Sequence, residues 1–139
     1  MLARLRARID APPRSVAHVR LYRTSLRTLH LIAVAALYGG HLHGVAAGRL
    51  APALLATVAT GGALAALEVW RAPVWLVQVR GLATVAKVGL VAAVALWWEG
   101  RLLLLTAAMV VGAVVAHAPG RLRYHSLLHG RPAGPRELG

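Results

Sequence analysis

Four apolar runs, at residues 28–45, 50–69, 82–98 and 102–118, fill most of the chain between a basic beginning and a basic end. None alternates apolar and polar positions with period two, and each approaches the roughly 20 residues a helix needs to cross a bilayer. In lipid a backbone must satisfy its own hydrogen bonds, which favours helix over strand despite the valine content. The pattern predicts an all-α protein: an integral membrane four-helix up-down bundle preceded by a basic interfacial helix. Three regions follow, a basic amphipathic arm at 1–27, a transmembrane domain at 28–118 and a basic tail at 119–139. With Pro132, Gly134 and Pro135, the tail is expected to be disordered from Gly130 onward.

Proline and glycine punctuate these runs. Pro12 and Pro13 split the arm, so that a second basic stretch, 16–27, continues into the first span. Pro73 suits a first helical turn, which predicts a third helix that starts along the interface and enters the bilayer at Gly81. Glu99-Gly100-Arg101 reads as a tight hairpin, and Pro119-Gly120 stops the fourth span. Gly40, Gly44 and Gly48 recur every four residues, and Gly61 and Gly62 sit mid-span, so helix backbones are expected to approach closely within the bundle or across a homodimer.

Composition strengthens the membrane reading. With 58% hydrophobic residues, 139 residues offer too little interior for a soluble domain to hide them. The absence of Cys excludes disulfides, iron–sulfur clusters and thiolate chemistry. Sixteen Lys and Arg stand against four Asp and Glu, a net charge of +12, and their distribution is uneven. Thirteen Arg fall before the first span, in the second connection or after the last span, whereas the opposite side has only Arg49 and Arg101. Positive residues stay on the cytoplasmic side, so both termini are expected there, in a bacterial inner membrane, with the basic arm on anionic lipid. Trp70 and Trp75 fall at one interface and Trp97 and Trp98 at the other. Nucleic acid is not an expected partner, because the Arg residues track the spans and no recognition motif is present.

Ionisable groups within spans are costly and mark function. His30 lies about one turn into the first span and His117 about one turn from the end of the fourth, at matched depth on helices that neighbour each other in an up-down bundle. Two imidazoles so placed suit axial ligation of haem b, with Arg27, Arg121 and Arg123 near the propionates. The alternative is that each His hydrogen-bonds at a helix end. Glu68 and Lys87 share the same leaflet on the small-residue faces of their helices and are expected to pair, completing a cluster with His30 and His117 that could hold a cofactor's carboxylates. On the outer side, His41 and His43 with Glu99 form a candidate copper or zinc site, provided the helix frays at Gly44, since i,i+2 side chains diverge on a helix. His18, His125 and His129 are expected to be solvated.

The segment Leu29-His30-Leu31-Ile32-Ala33-Val34-Ala35-Ala36-Leu37-Tyr38-Gly39-Gly40 resembles the first helix of copper-resistance D (CopD)-type membrane domains and, more distantly, of HemJ-type protoporphyrinogen oxidases. Trp75 followed by Lys87-Val88-Gly89-Leu90-Val91 is similar to their third helix. The resemblance implies haem association for His30 and a functional role for Lys87, and it raises copper handling alongside haem. The chain departs from the HemJ pattern at His41-Leu42-His43-Gly44, where a Pro-Arg-Leu-Phe type continuation is absent, so porphyrinogen oxidation is not expected. The resulting expectation is electron transfer, or a subunit of a redox complex with a membrane protein partner. Copper handling or a cofactor-free accessory subunit are the alternatives, and short loops speak against substrate catalysis.

Overall fold

The computed structural model describes residue 9 and residues 11–133. Residues 1–8 and 10 of the expected basic arm, and 134–139 of the tail, lie outside the described residues. Helix dominates: α1 (Val19–Leu42), α2 (Ala47–Arg71), a 3-10 turn (Pro73–Val77), α3 (Val79–Ala93), α4 (Arg101–His117) and the short α5 (Gly120–Arg123). Two short strands, β1 (His125–Ser126) and β2 (Arg131–Pro132), pair antiparallel near the end. The chain divides into two compact units, one at Val16–Leu67 and one formed by the segment before it together with Glu68 onward.

Each apolar run is helical, but the helices differ in length from the runs. Among the described residues, α2 alone is both long and apolar enough to cross a membrane, and α4 is apolar but shorter. Its 25 residues span about 37 Å. The second basic stretch does continue into the first run as one helix: α1 carries Arg20, Arg23 and Arg27 in its opening turns. The third run ends early, with α3 closing at Ala93 and residues 94–96 passing into turns.

In the unit 16–67, α1 ends in a Schellman arrangement. Val45 N–H donates to the Gly40 carbonyl (2.9 Å) and Gly44 N–H to that of His41 (3.3 Å), with Gly44 at φ +70°. Gly44 is thus a chain-reversal residue rather than part of a packing stripe. Gly40 does serve close approach, since a Cβ there would run into the Leu50 side chain, while Gly48 and Gly62 meet nothing. Pro52 lies in the second turn of α2 and removes one N–H from its ladder.

The other unit is built on α3 packed against α4. Pro73 opens the 3-10 turn, as its fixed φ allows, and α3 follows after the extended Gln78. Trp75 is buried in that turn instead of sitting at an interface, whereas Trp70, Trp97 and Trp98 are exposed. Its carbonyl lies where a Cβ of Gly81 would be, so only glycine fits at the start of α3. The outer connection is as short as expected: Gly100 tucks under the Trp97 ring, and Arg101 stacks on Trp98 (4.9 Å) while donating to its carbonyl (3.2 Å).

After His117 the extended Ala118 and Pro119 end α4, and the chain then folds back. Leu127 N–H donates to the Val77 carbonyl (3.0 Å), Ala133 N–H to that of Tyr124 (3.1 Å), and the Gln78 amide to the Ala133 carbonyl. Gln78 and Ser126 have no solvent exposure. Up to Ala133 the tail therefore forms a clasp over the α2–α3 connection. Buried backbone groups from two distant segments find one another here, which local composition does not report.

Candidate functional site

Sequence places the chemistry on His30 and His117, which belong to different units. In the first unit, half-buried His30 reaches from α1 to α2. Its Nδ1 lies 3.0 Å from Thr60 Oγ1, and its ring covers Gly61, where a Cβ would stand 2.9 Å from Cε1. The Thr60 hydroxyl spends its only proton on its own helix, donating to the Ala56 carbonyl (2.6 Å). With that proton on Ala56, Oγ1 accepts from the imidazole, so the hydrogen-bond network assigns the hydrogen to Nδ1 and the lone pair to Nε2.

His117, exposed on the last turn of α4, reaches the same state by another route. Its Nδ1 lies 2.8 Å from the Ala113 carbonyl, an acceptor only. The network assigns Nδ1–H here as well, leaving an Nε2 lone pair. The helix-end hydrogen bond considered from sequence exists, and it fixes the tautomer that a metal-binding imidazole uses.

Glu68 is paired differently from the sequence expectation. It is buried, and its Oε2 lies 3.4 Å from an Arg80 guanidinium nitrogen. Arg80 also donates from Nε to the Gln78 side-chain carbonyl (2.6 Å) and stacks on Tyr124 (4.7 Å). Lys87 lies two turns further along α3, with its Nζ 3.7 Å from where a Gly112 Cβ would be, and among the described residues it forms no ion pair with Glu68. Arg80 wins because it sits in the first turn of α3, near the α2 end that carries Glu68, whereas Lys87 is about 10 Å further along the helix axis.

The remaining candidates are spread out. Arg121 is exposed on α5, and Arg123 stacks on Tyr124 (5.1 Å) and donates to the Ala116 carbonyl (3.2 Å). His41 is half-buried and His43 exposed; α1 stays helical through Leu42, and its break at Gly44 comes after both, so they remain about 200° apart around the axis. Among the described residues no three His, Asp or Glu side chains form a metal-holding group. His129, expected to be solvated, is tied by Nδ1 to Ser126 Oγ (2.7 Å).

Sequence reasoning missed Thr60 as the residue that orients His30, although a threonine beside a glycine in the middle of an apolar run is the available signal. It also missed Gln78 and Ser126, whose roles depend on residues far along the chain. No family model, curated protein or solved structure matches this chain.

Proposed function

We propose that the chain is a small integral membrane protein of four spans, with both termini in the cytoplasm, that binds haem b for electron transfer, alone or as a subunit of a redox complex. The observation that carries the haem reading is the shared environment of Nδ1: in both His30 and His117 it faces an oxygen that can accept its hydrogen, which makes Nε2 the basic nitrogen of each ring. Bound there, haem supplies one-electron chemistry at iron. This chain's own contribution is to fix both rings, His30 through Thr60 and over Gly61, His117 through Ala113. The likeness of the first helix to CopD-type domains points the same way.

Membrane insertion is supported by apolar side chains left exposed along the helices. Leu31, Ile32, Leu55 and Val58 in one unit, and Val85, Val88, Leu103 and Val114 in the other, are each at least 60% exposed. Single cysteines at the exposed Leu96 and Leu127 test the topology. A membrane-impermeant maleimide is expected to label Leu96→Cys from the periplasmic side and Leu127→Cys only after lysis; labelling of both from one side overturns it.

A visible spectrum of the protein purified with haem supplementation tests the cofactor. The expected result is a Soret band that is lost or shifted in both His30→Ala and His117→Ala. Absence of the band, or indifference to both substitutions, removes the haem reading.

A further inference from the structure

We propose that a groove at the end of α2 binds the headgroup of one anionic phospholipid. The groove is lined by residues 9, 11–13, 72, 74, 129 and 131–133, has a volume of about 600 Å³ and is open to the outside. That size lies within the range of small-ligand sites. Its walls are apolar, with Pro12, Pro13, Ala72 and Val74 among them, and among the described residues its polar side chains are those of His129 and Arg131. No acidic residue lines it among the described residues. A ligand suited to these walls is both anionic and partly apolar.

The neighbouring contacts strengthen the charge argument. A helix C-terminus repels anions through its last carbonyls. Here Arg14 occupies them: its N–H donates to the Arg71 carbonyl (2.8 Å), its guanidinium to that of Trp70 (3.4 Å), and it stacks on the exposed Trp70 ring (4.5 Å). Ser126, fully buried, ties down the His129 ring at the opposite wall. Arg131 is exposed on β2 and available to a phosphate. A bare phosphate would leave the proline and valine walls unused, whereas a phosphoglycerol headgroup with the start of its acyl chains would cover them. A lipid is the occupant because Trp70 and the groove terminate the helix that is long and apolar enough to cross a membrane. This inference rests on the membrane reading above.

Native mass spectrometry of the full chain in an uncharged detergent tests it, with phosphatidylglycerol, phosphatidylcholine and inorganic phosphate added separately. One phosphatidylglycerol per chain is expected to be retained, in preference to phosphatidylcholine. Arg131→Ala should weaken retention about fivefold, the effect of one charge near an anionic lipid. Pro13→Glu, which sets a carboxylate in an exposed wall position, should weaken it at least as much. Arg49→Ala, outside both the groove and the basic arm, should change nothing. Equal retention of phosphatidylcholine, equal effects of Arg131→Ala and Arg49→Ala, or displacement of the lipid by inorganic phosphate would each overturn the site. Alkaline carbonate extraction separates this failure from the failure of the membrane reading. A chain that washes off membranes refutes insertion, and one that stays while Arg131→Ala and Pro13→Glu keep their lipid refutes the groove alone.

Discussion

The two units are made from the same few residue types, yet they differ in how far their polar groups reach for partners. In 16–67 the hydroxyls turn inward to their own helix, Thr57 to the Ala53 carbonyl (2.8 Å) and Thr60 to that of Ala56, while the His30 imidazole over Gly61 and the Leu50 side chain against Gly40 link α1 and α2. In 68–133 one hydroxyl does the same, Thr84 to the Arg80 carbonyl (3.0 Å), but a network also joins separate segments: Glu68 with Arg80, Arg80 with Gln78, and Gln78 with the Ala133 carbonyl. The first unit sets its crowded glycines, Gly40 and Gly61, against side chains that can move, whereas the second sets Gly81 against a fixed backbone carbonyl and its buried polar groups against specific partners. Mutations that add volume and mutations that remove a partner should therefore rank differently in the two units.

The largest effect is expected at Gly81. An added methyl meets the Trp75 backbone carbonyl, which cannot rotate away, so Gly81→Ala should cost on the order of 3 kcal/mol, seen as a lowered melting temperature in one fixed detergent. A loss below about 1 kcal/mol would mean that the 3-10 turn is soft and that crowding matters no more here than in the other unit. Next comes Gln78→Leu. It strands the Ala133 carbonyl and an Arg80 donor in a site without solvent, which should cost about 2 kcal/mol in the same melt.

A double-mutant cycle on Glu68 and Arg80 should give a coupling of about 1.5 kcal/mol, while Glu68 and Lys87 should be additive within about 0.5 kcal/mol. A coupled Glu68 and Lys87 would reverse the assignment of partners. The smallest effect is expected at Gly61→Ala, about 1 kcal/mol, because the methyl meets a side chain that can swing. Its readout is better than its size: a displaced His30 ring should also weaken or shift the Soret band, while Gly62→Ala, which meets nothing, should leave both unchanged. If Gly61→Ala costs as much as Gly81→Ala, the contrast between the two units fails.

What sequence could and could not show follows the same division. The four apolar runs, a helical turn opening at Pro73, the tight turn at Gly100 and the stop at Pro119 were legible because each depends on neighbours in sequence, although the third helix itself starts at Val79 after a separate 3-10 turn. Gly44 was misread as a packing residue because four-residue spacing does not distinguish a stripe from a helix end, and φ +70° decides it. Trp75 looked interfacial by position but is buried by the chain that folds over it. Lys87 seemed the natural partner of Glu68 by leaflet, but Arg80 reaches it in the first turn of α3. The clasp was invisible for a stronger reason: nothing near Gln78 announces that Ala133 will accept from it.

That clasp also orders events in time. Gln78 and its acceptor are 55 residues apart, so during synthesis the amide emerges long before the carbonyl that will take its hydrogen. Through that interval α3 and α4 can form and pair through contacts close in sequence, but the junction ahead of them stays open to water. Closing it requires a long loop, which is entropically slow compared with the local steps. The unit should thus mature in two stages, a quick helical hairpin followed by a late seal. Nascent chains halted before residue 124 should show the hairpin's helicity while leaving Trp75 accessible to aqueous quenchers.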